Sequence, residues 1–298
     1  MATTAVADPD SGLSGAQLAA RHGLTVAGER PGLVAYLRQL WAYRHFTSAY
    51  ADAKVVASFS TARLGRLWQV LTPLTNAAVY YLIFGVVLGG GQNIENFIAY
   101  LCTGLFVFTF TQSVVSGGVQ AITGNLGLIR ALHFPRACLP IAITLTQFQH
   151  LLASIVVLAG IVLVDGEPLT FEWLLLVPAV LLQSVFSAGL AMAMARIGSK
   201  VTDLKQIVPF VMRTWMYGSG VLYSVENFEE HLPKLAADLV QLNPLLVYIE
   251  LMRHALMETA PVTASQTQSW LLGAGWALLA GVLGFVYFWR GEKEYGRG

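Results

Sequence analysis

Residues 139–164 read LPIAITLTQFQHLLASIVVLAGIVLV, 26 positions without one Asp, Glu, Lys or Arg. At 1.5 Å per residue a helix of that length reaches about 39 Å, beyond the roughly 30 Å hydrocarbon core of a bilayer. A soluble core helix has no use for so long a charge-free run, so the stretch reads as a membrane span. Five more follow the same rule, over 68–88, 97–118, 173–195, 206–223 and 270–289, with Arg213 the single charge inside any of them. The whole chain of 298 residues agrees: it is 55% hydrophobic and 12% charged, against about 25% charged in soluble domains. A net charge of +1 excludes a polyanion-binding surface as its main business, so no nucleic acid is expected.

Between the spans the charges sort by side. Fifteen of the 18 Lys and Arg fall on one face: the segment before residue 67, the loops after the second and fourth spans, and the C-terminal tail. Lys234 and Arg253 fall on the other, with 10 of the 17 acids, so the near-neutral total divides into faces of about +8 and −8. The positive-inside rule puts the basic face and both termini in the cytosol, with the chain multi-pass in the plasma membrane. Residues 1–30 have no apolar h-region, hence no signal peptide, and their small polar composition reads as a disordered cytosolic tail. Cys102 and Cys138 map to opposite sides of the bilayer, too far apart for a disulfide.

The remaining segments have helical patterns too polar to span. In 31–67, Leu33, Leu37, Leu40 and Trp41 gather on one face among Arg38, Arg44 and His45, the pattern of a basic amphipathic helix lying in the interface or docking a partner. The loop after the second span, 125–134, reads as a short helix capped by Asn125 and stopped by Pro135, with Arg130 and Arg136 on either side of Phe134-Pro135. It is either a peg for a partner's groove or simply a loop with positive-inside arginines. In 225–268, Leu232, Leu235, Ala236, Leu239 and Val240 suggest one short helix. Asn243-Pro244 caps a second, from 245 to about 257, with Glu250, Arg253 and His254 at i, i+3, i+4. Helices of this kind between two spans are re-entrant or lie flat on the outer surface; non-spanning backbone at membrane depth requires protein or water around it.

Several chemistries are missing from the sequence. No G-x-x-x-x-G-K-[ST], C-x-x-C or H-E-x-x-H occurs, so the chain carries no nucleotide-hydrolysing loop or metal motif of its own. No carboxylate lies within the spans, which argues against ion-coupled transport. A membrane transferase would need an acid-base pair at the interface, for which only His45, His133 and Asp203 offer themselves. Three polar or aromatic features do sit inside the spans. Arg213, with Trp215 and Tyr217 nearby, either snorkels to the headgroups or borders a polar path. Gln147, Gln149 and His150 read as interhelical hydrogen-bonding groups. Tyr80, Tyr81 and Phe84, and Phe106, Phe108 and Phe110, are packing rings or flat platforms on which a sugar's C–H face can stack. Phe106 and Phe110 share a face with Ser113 and Gly117, which is unlike a lipid-facing surface.

Taken in order, these segments resemble the permease subunit of an ABC-2 type exporter, and within that class the O-antigen polysaccharide exporter permeases. The likeness runs from residue 33 to the C-terminus. It is carried by RLGRLWQVLTPL at 63–74, NLGLIRALHFPRACLP at 125–140, DLKQ at 203–206, GVLY at 220–223, NPL at 243–245 and Arg253. Thr202 stands where the family usually has arginine. The resemblance implies an all-α, six-span membrane domain over 68–298, preceded by an interface helix and lead-in segment over 31–67. It implies a coupling helix formed by Asn125, Arg130, His133, Phe134, Pro135 and Arg136. Gate helices over 226–257, with Asn243, Pro244, Glu250 and Arg253, would close the outer side. A channel would be bordered by spans one, two and five and lined by Tyr80, Tyr81, Phe84, Phe106, Phe108, Phe110, Arg213, Trp215 and Tyr217. The expected partners are a second copy, two ATP-binding cassette subunits holding ATP and Mg2+, membrane lipids and a lipid-linked polysaccharide. The chain itself would be no enzyme and hold no cofactor. Only 5 of the 18 basic residues are lysine, the style of a GC-rich, actinobacterial genome, for which the cargo would be a cell-wall galactan. Export of small hydrophobic molecules by the same architecture is the alternative, and a multi-span transferase the more distant one.

Overall fold

The computed structural model describes residues 31–60, 63–87, 96–222, 240–260 and 265–295, together with a few isolated positions. The expected tail over 1–30 lies largely outside the described residues, as do Lys234 and the short helix expected around 232–239. Among the described residues the chain is helical, with no strand. Its elements are α1 (Leu33–Ala42), α2 (Arg44–Phe59), α3 (Trp68–Tyr80, widened into a π-helical turn over Tyr81–Val87), α4 (Phe97–Val119) and α5 (Leu126–Ala131). Then come α6 (Cys138–Val164), α7 (Leu176–Gly198), α8 (Leu204–Tyr217), α9 (Pro244–Leu256) and α10 (Gln266–Arg290).

Among the described residues, five helices are long and apolar enough to cross a membrane: Val70–Val87, Phe97–Val119, Cys138–Val164, Phe171–Gly198 and Gln266–Arg290. They match five of the six expected spans, and α8 begins the remaining one. The apolar content of α4 is explained by its place: it stands at the centre, with 17 of its 23 residues buried, against α3, α6, α7, α8 and α9. In lipid, helix association relies on close packing rather than on expelling water, so small residues mark the seams. The tightest seam joins α7 to α10. A Cβ on Gly284 would stand 2.0 Å from the carbonyl oxygen of Gly189, and one on Gly189 would stand 2.2 Å from that of Ala280. A buried polar layer adds specificity at α4–α7: the Gln183 amide donates to the Val107 carbonyl and the Thr111 hydroxyl (2.8 and 3.0 Å). Cys102 and Cys138 are both free and buried.

The amphipathic segment is two helices, not one. Tyr43 (φ −88°, ψ 10°) leaves helical geometry and separates α1 from α2. On α1, Val34, Leu37 and Trp41 form an exposed apolar stripe, while Tyr36 is buried on the opposite side. The α2 helix follows the first part of α6: Gln149 donates to Asp52 (2.6 Å), and the Thr146 hydroxyl donates to the Ala51 carbonyl (3.3 Å). Gln149 is thus an interhelical group, as its position suggested.

Candidate functional site

The expected fifth span over 206–223 is not a continuous helix. The α8 helix has 14 residues, about 21 Å, and stops short of a full crossing. Gly218 ends it, and Gly220 at φ +61° takes a left-handed conformation that side-chain-bearing residues resist. The Gly218 and Ser219 amides make only turn bonds back to the Trp215 and Met216 carbonyls (3.1 and 3.2 Å), and residues 220–222 are not helical. The α9 helix returns beside this break, and 11 of its 13 residues are buried. Its start meets the end of α8: the Asn243 side-chain oxygen Oδ1 accepts from the Leu245 amide (3.1 Å), capping α9, and from Trp215 Nε1 (2.9 Å). The Asn243 amide donates to the Gly218 carbonyl (2.8 Å) and the Ser219 hydroxyl (3.1 Å). The far end of α9 meets the acidic end of the bundle, where the Glu258 amide donates to Glu167 (2.9 Å). The α9 helix is thus enclosed by protein, as a re-entrant helix must be, rather than lying open on the surface.

Backbone carbonyls freed at membrane depth cost several kcal/mol each unless paired. Arg253, 1% exposed, pairs them. Its guanidinium donates to the carbonyls of Gly220 (3.0 Å), Tyr100 (3.2 and 3.4 Å) and Val221 (3.4 Å), and lies 3.3 Å over the Tyr100 ring. Gly104 leaves the room: a Cβ there would stand 2.7 Å from Arg253 Nη2. Glu250, one turn earlier, is buried as well. The acidic end of α9 is tied by Glu167, which accepts from Asn96 (2.9 Å) and from the Thr259 hydroxyl. Burial pushes the Glu167 carboxyl up, but these donors outweigh it and hold the group below the usual carboxylate value.

At the basic end, α5 ends at Ala131, earlier than expected, because a residue before proline avoids the α region and 132–135 approach Pro135 extended. Asn125 sits at the cap position without capping. Its amide turns back to the Ala121 carbonyl (2.7 Å), and its oxygen accepts from the Tyr50 hydroxyl (2.5 Å). Arg130 and His133 are exposed. Phe134 and Pro135 are buried, Phe134 against the Phe46 ring at 5.0 Å, so neither projects as a peg. Arg136 is half-buried and turned toward Glu292.

The aromatic sets separate. Phe106, Phe108 and Phe110 are buried at 5%, 0% and 4% exposure, so the face expected to be open is packed inside the protomer. The reason is the central position of α4, which leaves neither side of it uncovered. Tyr80 and Phe84 are half-buried and stack on each other at 6.1 Å, and Tyr81 is exposed. Trp215 is half-buried, its N–H given to Asn243. Arg213 and Tyr217 are exposed, and with Gln206 and Phe210 they form one stripe along α8 at i, i+4, i+7, i+11. Sequence reading missed Tyr36, Tyr100, Gly104, Glu167 and Glu292. The signal available for the two acids was their place just beyond the ends of spans.

A bundle of apolar, membrane-length helices with one interrupted span and a buried helix beside the break is the build of a polytopic membrane domain. Residues 47–257 match the family described as ABC-2 type transporter, and the chain belongs to that family. It is 27% identical over 214 residues to the O-antigen export system permease protein RfbA of Myxococcus xanthus, covering 72% of this chain and 81% of the relative. It is 26% identical over 207 residues to the protein of the same name from Klebsiella pneumoniae (69% and 77%). The polysialic acid transport protein KpsM of Escherichia coli is likewise 26% identical over 207 residues (67% and 76%).

Proposed function

We propose that the chain is the membrane subunit of an ATP-driven exporter moving a lipid-linked polysaccharide outward across the plasma membrane, its basic end in the cytosol. Two copies would pair with two ATP-binding cassette subunits, which hold the ATP and Mg2+. The α5 segment, with Arg130 and His133 exposed, would meet the ATPase, and α9 would gate the outer side. The permease names of the relatives support the cargo class; a galactan is the particular cargo that the sequence style favours.

One observation carries the reading. The stripe Gln206, Phe210, Arg213, Tyr217 is exposed along a membrane-depth helix. A cation facing lipid there costs at least about 2.5 kcal/mol, whereas the same face toward a second copy and a hydrated passage costs far less. Rings and a cation alternating along such a passage suit a sugar chain. The passage would therefore be lined by Arg213 and Tyr217 on α8, with Tyr80, Tyr81 and Phe84 on α3, and not by the buried rings of α4.

The test is surface polysaccharide in cells carrying cysteines at 206, 210, 213 and 217 together with the cognate ATPase. A water-soluble thiol reagent is expected to label these four positions and halt export. Labelling confined to lipid-soluble reagents, with export intact, would refute the lining.

A second reading has its own observation. An apolar groove of about 730 Å³ runs between α7, α8 and α10, walled by Trp215, Pro244, Trp276, Leu279 and Leu283. It suits export of a small hydrophobic molecule. Filling it from its open wall with Leu279→Trp would abolish transport on that reading and spare polysaccharide export on the first.

A further inference from the structure

Three segments distant in sequence meet at the basic end of the bundle. Glu292, two residues beyond α10, is 4% exposed. Its Oε2 accepts from the Tyr36 hydroxyl of α1 (2.8 Å). Its Oε1 accepts from both the backbone amide and the guanidinium of Arg136 (3.1 and 3.2 Å). The Tyr36 oxygen in turn accepts from the Ala137 amide (3.1 Å), and Tyr36 is 1% exposed. The tail is folded back to hold the acid in place. Tyr295 stacks on Phe288 at 4.6 Å and donates to its carbonyl (2.9 Å), while Trp289 donates to the Pro31 carbonyl (3.1 Å).

A carboxylate is expensive to bury, and burial pushes Glu292 up from the usual value. Simple attachment of a tail does not need one, since an apolar contact would serve. What a carboxylate does supply is several directional bonds at once, to two separate segments. Residues 132–137 connect α5 to α6, so a displacement of α5 passes through Arg136 and Ala137. Both of these are bonded to the Tyr36–Glu292 pair.

We propose that Glu292 is a coupling latch: the C-terminal tail locks α1 to the loop after α5, so that a push on α5 moves the amphipathic helix with it. The coupling role rests on the exporter reading above; the latch itself does not. Glu292 is accordingly a positioning residue, acting through Arg136 and Tyr36.

The experiment compares wild type, Glu292→Gln and Tyr36→Phe in the full complex with its ATPase. Amide hydrogen exchange is followed over 31–43 and 132–137, alongside ATP hydrolysis and polysaccharide export. Gln keeps the shape of Glu but turns one acceptor oxygen into a donor facing donors. Both segments are expected to exchange together, faster by about tenfold or more, the scale set by losing bonds to a charged group. Tyr36→Phe is expected to loosen 31–43 and to free the Ala137 amide, while the Arg136 amide stays protected by Glu292. Export per ATP should fall in Glu292→Gln while ATP hydrolysis persists. Unchanged exchange, or a change in one segment only for Glu292→Gln, would overturn the latch, and so would loosened segments with export per ATP unaltered. A wild-type complex that exports no polysaccharide would instead sink the exporter reading, with the exchange measurement still deciding the latch.

Discussion

Replacing Arg253 by lysine should harm the protein although lysine is the conservative change, and replacing it by methionine should harm it more. The guanidinium makes its two shorter bonds, at 3.0 and 3.2 Å, to carbonyls on different segments, Gly220 and Tyr100, and two longer ones at 3.4 Å. A single ammonium cannot reproduce that fork or lie flat at 3.3 Å over Tyr100. Bonds to a charged group contribute about 1.5–3 kcal/mol each, so losing the geometry of two costs about 3 kcal/mol or more. Lysine also keeps a charge at a site that is 1% exposed, retaining a desolvation penalty of several kcal/mol per ion. Methionine sheds the charge but leaves the carbonyls of Gly220 and Val221 without that donor, at several kcal/mol each at membrane depth, so its cost is the larger. The assay is thermal unfolding of the purified protein in detergent, read by the fraction remaining monodisperse. The expected order is wild type, then Arg253→Lys, then Arg253→Met lowest. A lysine variant as stable as wild type would show that the fork is not what holds the break in the span, and a methionine variant more stable than the lysine one would show that the carbonyls there need no donor.

Two further outcomes follow from the same geometry. Because Glu167 is held below the usual carboxylate value of 4.5, its contribution is present above that pH and is lost as pH falls through the lowered value. Protection of the Glu258 amide against hydrogen exchange should therefore fall only on acidification below about pH 4.5, and should be low already at neutral pH in Glu167→Gln. Phe108→Ala should leave a cavity inside α4's packing and cost about 3–5 kcal/mol of stability, whereas Tyr217→Ala should leave unfolding unchanged and reduce export; the reverse pattern would return the α4 rings to the passage.

The spans were legible because lipid imposes one strong rule, a charge-free run of sufficient length, and 139–164 obeys it throughout. The break after Tyr217 was less legible because composition does not distinguish a helix from an extended stretch. Residues 218–223, GSGVLY, are apolar enough to continue a span, and only the paired glycines hinted otherwise. Asn243-Pro244 was readable as a helix start since capping is local. The partners of Asn243 on α8 were not, because they depend on where α9 docks. The aromatic rings misled for a related reason: Phe106 and Phe110 have the same spacing whether a helix stands at the rim or at the centre, and only its neighbours decide. Tyr36 and Glu292 are 256 positions apart, beyond any pattern in the chain.

The distribution of close packing says which parts are free to move. The α7–α10 seam, with backbones touching at Gly189 and Gly284, leaves no room for sliding, and α4 is buried on every side. By contrast α3 and α8 keep broad exposed faces, and each contains a proline, Pro73 and Pro209, that removes a backbone hydrogen bond from its ladder. The re-entrant α9 is held by a few polar contacts, Asn243, Arg253, the Glu167 tie and the Tyr248 hydroxyl on the Gly273 carbonyl (2.8 Å), each of which can be exchanged for another donor or acceptor. A rigid slab of α4, α6, α7 and α10 thus carries two bendable helices and one polar-latched helix. If motion is confined in this way, a disulfide fixing α7 to α10 should leave export unchanged, while one fixing α8 to α9 at 215 and 243 should stop it. Loss of export in the first case would mean that the slab itself deforms.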